Sequence, residues 1–441
     1  MFLFDVAYPM SSENFNQELL QFLQQSPTPF HAVANLSVML EQADFHRLDE
    51  AGHWQLEKNS RYYVTRNDSA LVAFKTGDHD IVSTGIRLTG THTYSPCLKI
   101  KPMPEIHQQG YLQLGVEVNG GALLNPWFDR DLSIAGRVDF QTKQGELQSA
   151  LIDMKEPVAF IPSLAIHLER NVNDAHKINR QKELPPVLLQ LKKGEEFSFD
   201  QVLLKQLQQN SKYADADKIL SHELLLYDTQ APSLVGLHKQ FIASARLDNL
   251  LSCFLAATAL IDSQDSFASL LVCHDHEEVG SASIAGAQGP FLKAVIQRLV
   301  SSEHNGPEAM ERVLRQSLLL SIDNAHGVHP NYVDKHDAQH RPLLNGGPVI
   351  KINANQRYAS NSESVALFKS LCQQLQIPTQ SFVMRSDMAC GSTIGPITAT
   401  ELGITTVDIG IASFAMHSIR ELAGSEDPYA LASVVRAFYT R

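Results

Sequence analysis

From Asp248 onward, short apolar runs alternate with helical patterns, and this constrains the fold more than any other feature of the chain. The runs Ser269–Cys273, Ser317–Ile322, Phe382–Met384 and Thr405–Ile409 read as buried strands. A strand without polar alternation has to be covered on both faces, and the intervening helices supply the cover. One such helix is marked by Leu247, Leu250, Leu251, Phe254 and Leu255, and a last one starts at Asp427-Pro428. Toward the N-terminus the spacing predicts helices over Ser12–Gln24 and His31–Gln42. Strands are predicted over Arg61–Thr65, Leu71–Phe74 and Ile81–Leu88. From about Lys99 the texture changes to Gly and β-formers, with a turn at Gly120-Gly121, and residues 177–217 are polar. The simplest organisation is an α/β domain interrupted in sequence by a β-rich insertion.

Composition excludes several alternatives. With 36 Lys+Arg against 48 Asp+Glu among 441 residues the net charge is −12, the wrong sign for a sequence-independent nucleic-acid binder. No apolar run reaches the roughly 18 residues needed to span a bilayer, and Met1–Val6 lacks the basic region of a secretory signal. The five cysteines are odd in number and without CxxC spacing, as expected of free thiols in a reducing cytoplasm.

Five segments place His, Asp or Glu at the ends of expected strands: Gly90–Pro96, Ala245–Asn249, His274–Gly280, Ser321–His326 and Ala415–Ser418. Strand ends are where open α/β sheets bind ligands. A lone Asp there is usually a helix cap and a lone His usually a hydrogen-bonded residue. Together they combine imidazoles and carboxylates, a donor set suited to zinc or another divalent ion. In the adjacent pair Glu277-Glu278 one carboxylate can bind metal while its neighbour takes a water proton.

The chain also resembles the aspartyl aminopeptidase family along essentially its whole length. The matching segments include Ser26–His31, Ser95–Lys99, Pro126–Leu132, Ala165–Leu168, Ser244–Asn249 and His276–Ser281. Further matches are His329–Tyr332, Gly347–Asn353, Cys390–Pro396 and Ala415–Glu421. The resemblance implies a three-layer αβα metallopeptidase catalytic domain formed by residues 1–98 and 234–441, with residues 99–233 as an inserted β-rich dimerisation domain. It implies a metal-dependent aminopeptidase that releases N-terminal Asp or Glu from peptides. Two divalent ions per subunit are implied, zinc first, with manganese and cobalt also suited. Asp248 would bridge the ions, Glu278 and His417 would complete one, and His92 and Asp323 the other. Glu277 would be the general base, and Lys351 would pair with the substrate's acidic side chain. His326 and Tyr358 would contact substrate. His167 would enter a neighbouring subunit's site, in a dodecamer built from dimers. Peptides are the implied partners, with no nucleic acid and no membrane.

One position departs from the family. Where the family reads His-Thr-Asp, this chain reads His92-Thr93-Tyr94. In an extended segment residues i and i+2 share a side, so the family's Asp can support the ligand histidine. Loss of such a partner typically costs about 10–100-fold in metal affinity or activity. Three readings stay open: an aminopeptidase weakened at this position, a disabled homologue acting as an assembled structural or binding protein, and a related metal-dependent deacylase.

Overall fold

The structure is a computed structural model, and it describes residues 11–264, 266–304 and 306–440. The Met1–Val6 segment lies outside them. The chain divides into two compact units. One comprises Met1–Tyr94, Pro232–Met416 and Glu421–Arg441, the other Ser95–Ala231 and His417–Arg420.

The first unit is built on a nine-stranded sheet. Its strands run in the order His46–Arg47, Arg61–Arg66, Ala70–Lys75, Ser269–His274, Arg87–His92, Leu318–Ile322, Thr405–Gly410, Val349–Ile352, Gln380–Val383. The four strands from Ser269–His274 to Thr405–Gly410 are mutually parallel. Their side chains alternate between two apolar layers. Leu271 and Cys273 face one side with Leu19, Leu36, Phe254, Phe368 and Phe438 from helices Ser12–Gln25, Pro29–Gln42, Leu247–Asp262, Ser362–Gln374 and Asp427–Tyr439. Leu270 and Val272 face the other with Phe291, Val295 and Val313 from helices Phe291–Glu303 and Ala309–Gln316. Both faces are therefore dry, as the unbroken apolar runs require. Helix Leu247–Asp262 is buried at every position through Leu260, so it lies inside its layer.

Local chemistry starts the helices. The Ser11 side chain accepts from Asn14 N–H, and Thr28 caps a helix whose first residue is Pro29. The expected strand over Ile81–Leu88 is corrected by the same chemistry. The Asp80 carboxylate accepts from the Val82 and Ser83 N–H groups and winds Ile81–Thr84 into a helical turn, so the strand begins only at Arg87.

The second unit is a six-stranded antiparallel sheet, in the order Leu147–Asp153, Leu132–Thr142, Ala216–Asp228, Cys97–Gln108, Tyr111–Asn119, Val187–Gln190. The polar stretch over residues 177–217 holds one of these strands and the helix Phe199–Gln208, whose Phe199, Leu203 and Leu207 are buried. A small all-β unit with one amphipathic helix can bury a single apolar face in this way.

Candidate metal centre

Three parallel strands deliver the site. Arg87–His92 ends at His92. Its neighbour Ser269–His274 runs into the 3-10 turn Glu277–Val279, and its other neighbour Leu318–Ile322 runs into Asp323. Adjacent parallel strands end side by side, so ligands far apart in sequence converge. Asp248 sits at the entry to the buried helix with non-helical backbone, φ −84° and ψ 100°. Arg246 and His276, each with φ near +60°, turn the chain sharply just before Asp248 and Glu277. Gly410 serves the same place: a Cβ on it would lie 1.8 Å from the Asp323 carbonyl oxygen. Only glycine lets the two strands approach so closely.

The geometry is compact. One ligand atom each from His92, Asp248 and Glu278 lie within 4.8 Å of one another. His92 Nε2 is 3.5 Å from Asp248 Oδ1, 3.8 Å from Asp323 Oδ1 and 4.0 Å from Glu277 Oε2. His92 and Asp248 are fully buried. Burial opposes a charged imidazole, but the carboxylates of Asp248 and Asp323, with Glu277, outweigh it and hold His92 well above the usual histidine range. Glu277 is pushed up to about 8, first by burial and then by the carboxylates of Asp323, Glu278 and Asp248, with His92 opposing. Four carboxylates around one imidazole concentrate negative charge that a divalent cation would neutralise. The donor set of imidazole nitrogen and carboxylate oxygen suits zinc.

Three contacts orient these candidate ligands, and none could be read from side-chain patterns. His92 donates from Nδ1 to the main-chain carbonyl of Tyr94 at 2.8 Å. A carbonyl can only accept, so Nδ1 carries a proton, and the further proton that the carboxylates hold on Nε2 is the one that would leave if Nε2 bound a metal ion. The Cys253 thiol donates to the His92 carbonyl at 3.1 Å, and the Asp248 N–H donates to Glu421 Oε2 at 2.9 Å. The Tyr94 ring is buried and stacks on His276, with centroids 5.7 Å apart. His276 Nδ1 is itself 2.9 Å from Ser283 Oγ.

Beside the cluster lies Lys351, only 2% exposed. Its Nζ is 3.5 Å from Asp323 Oδ2 and donates to the Asn324 carbonyl at 3.2 Å. Tyr358 presents its ring face to the same ammonium at 5.3 Å. His326 follows Asp323 by three residues, and burial and Lys351 both push its pKa down, so it is neutral at physiological pH. The structure thus brings His92, Asp248, Glu277, Glu278, Asp323 and Lys351 together, with Tyr358 and His326 next to Lys351. His417 groups with the second unit, where its Nδ1 donates to the Gly121 carbonyl at 3.2 Å. That bond places a proton on Nδ1, as in His92. His167, also in the second unit, lies exposed on a turn.

Comparison with known proteins decides the family. Residues 22–439 match the family described as Aminopeptidase I zinc metalloprotease (M18). The chain belongs to the M18 family. It is a metallo-aminopeptidase of zinc type by that membership. A probable M18 family aminopeptidase 2 of Ectopseudomonas mendocina is 57% identical over 430 residues, covering 97% of this chain and 98% of the relative. Among solved structures, a chain of the Ape4 and Nbr1 complex superposes with a TM-score of 0.93 at 38% identity, covering 97% of this chain and 86% of that one. The S. cerevisiae mApe1 dodecamer superposes with a TM-score of 0.84 at 29% identity, covering 97% of this chain and 96% of that one. The mixed α/β architecture is the one these M18 aminopeptidases share. Among the described residues of this M18 chain, no helix is long and apolar enough to cross a membrane.

Proposed function

We propose that this M18 aminopeptidase releases N-terminal Asp and Glu from peptides. The observation that carries the reading is Lys351. Burying an ammonium is costly unless it is paired and hydrogen-bonded. An ammonium has three donors, and here one is used on the Asn324 carbonyl while Asp323 lies 3.5 Å away. A substrate carboxylate beside Lys351 would complete its coordination, and the compact point charge of a lysine suits either acidic side chain.

In this reading His92, Asp248, Glu278 and Asp323 hold two divalent ions, zinc by family. Such ions polarise the scissile carbonyl and lower the pKa of water when bound. The protein's own residues do the rest. Glu277 accepts the proton of the attacking water and returns it to the leaving amine. Glu277 would be kept ionised near neutral pH by cations held by the neighbouring carboxylates, so that it can take a proton and give it back. Neutral His326 offers an N–H to the developing oxyanion.

Substitution of the family's Asp by Tyr94 leaves the site competent in this reading. What supports this is that the contact to His92 Nδ1 comes from the main chain of residue 94, which every residue type supplies. We also infer that the second unit pairs subunits into a homo-oligomer, a dodecamer as in the related mApe1 structure. His167 would then complete a neighbour's site. Supporting this, His167 is flanked by exposed Leu164, Ile166 and Leu168, at 57%, 46% and 74% exposure, an apolar turn suited to burial against a partner.

The test is the initial rate of zinc-reconstituted protein on Asp-, Glu-, Ala- and Leu-terminated peptides. Release confined to Asp and Glu is expected. Faster release of Leu or Ala would remove the acidic specificity, and no release with metal bound would restore the disabled reading.

A further inference from the structure

Next to Lys351 the first unit contains a cavity of about 270 Å³ that no step above uses. Its walls include Phe382, Met384, Met388, Phe414 and Met416, and it is shared on one side with His326. Its volume lies just under the roughly 300–1,000 Å³ of small-molecule pockets, which suits one large side chain rather than a length of peptide. Its position follows from the sheet. Lys351 and Phe382 are paired in register on neighbouring parallel strands, so their side chains share a face. The rings of Phe382 and His326 pack edge to face at 5.4 Å. The cavity therefore borders the same two groups that border Lys351, while Lys351 does not line it.

The lining is almost uncharged. Burial and neighbouring cations push the pKa values of His326 and His336 down, so both imidazoles are neutral at physiological pH. The one lining cation, Lys335, is exposed. Three methionines among the walls add unbranched, adaptable surface.

We infer that this cavity receives the side chain of the substrate's second residue and selects peptides in which a large apolar residue follows the acidic one. The inference rests on Lys351 engaging the first residue. Lysine or arginine at the second position would have to enter an apolar cavity beside Lys335, and glycine would leave it unfilled.

The experiment compares Asp-X dipeptides with X as Gly, Ala, Leu, Met, Phe and Lys on the zinc-loaded assembly. The value of kcat/KM should rise at least about tenfold from Gly to Leu or Met, as apolar pockets discriminate, and should fall again at Lys. In the Met388→Glu variant, altered at a partly exposed wall, Asp-Lys should gain and Asp-Leu should lose by about tenfold. Misfolding cannot produce that gain. Calorimetric binding of the same dipeptides to the Glu277→Gln variant should give the same order without turnover. A flat series in X, by rate and by binding, overturns the cavity assignment. A ratio of Asp-Gly to Leu-Gly near one overturns the reading of Lys351 instead. The X series, repeated on whichever first residue is cleaved best, then decides the cavity separately.

Discussion

The Nδ1 of His92 lies 2.8 Å from the main-chain carbonyl oxygen of Tyr94, so residue 94 holds the candidate ligand histidine with an atom no substitution removes. Tyr94→Phe and Tyr94→Asp should therefore change zinc affinity by less than about tenfold, below the upper range for loss of a ligand's partner. Tyr94→Ala keeps the carbonyl but loses the stack on His276, worth about 0.5–1.5 kcal/mol for an aromatic pair. Chelator competition measures the affinities and urea unfolding the stability. A hundredfold loss of zinc in Tyr94→Phe would mean the phenol, not the carbonyl, orients His92.

Glu277 should separate chemistry from metal binding. Glu277→Gln should lower kcat by about 10²–10⁴-fold, the usual worth of a general base, with zinc content unchanged. The candidate ligand cluster of His92, Asp248 and Glu278 does not include it. Atomic absorption on the purified variant checks the second half, and an equal fall in zinc content would recast Glu277 as a ligand.

The metal-free protein should lose stability as pH rises. Glu277 titrates at about 8 in the fold against 4.5 ordinarily, so between those values the folded state binds the extra proton. His92, held above its ordinary 6.5, has the same sign: its stabilisation is present below 6.5 and lost as pH climbs through the raised value. His274, pushed down to about 4 by burial, works the other way, but only between about 4 and 6.5. From pH 6.5 to about 8 His274 therefore no longer opposes Glu277 and His92. Thermal melts there should show Tm falling with pH in the metal-free protein, with a shallower slope in Glu277→Gln. A Tm that rises across the window would contradict the charge arrangement.

Lys351→Met should cut kcat/KM on Asp peptides by about 10–100-fold, the worth of a buried charge-assisted hydrogen bond of roughly 1.5–3 kcal/mol. Leu peptides should be little affected, so the readout is the ratio of the two. An unchanged ratio would mean that some other group selects the acidic side chain.

Gly410→Ala should disturb the metal centre from outside it. The added methyl would sit 1.8 Å from the Asp323 carbonyl, so the backbone must move. Overpacking of this kind costs typically about 1–3 kcal/mol, and Asp323 should shift with it. Urea unfolding and zinc titration together test this. Wild-type values in both would show that the strands can part at no cost.

Much of this protein was legible in its sequence because the relevant forces are local. Apolar runs such as Ser269–Cys273 announced strands buried on both faces, and Pro428 announced the start of the last helix, although the Asp427 carboxylate caps no amide of that helix and accepts from the Asn345 and Gly347 N–H groups instead. The His, Asp and Glu at strand ends announced where chemistry could gather. Ile81–Leu88 was misread because an Asp80 cap, one residue outside the apolar run, outweighed the run's β character. What only the tertiary structure decided were relations between atoms without a side-chain signature. These are the Tyr94 carbonyl on His92, the Cys253 thiol behind it, the Glu421 carboxylate on the Asp248 amide, and the space Gly410 leaves for Asp323. Sequence specifies which groups a strand end can offer. Their distances come from how parallel strands separated by hundreds of residues stack in one sheet, and that register is a property of the whole core.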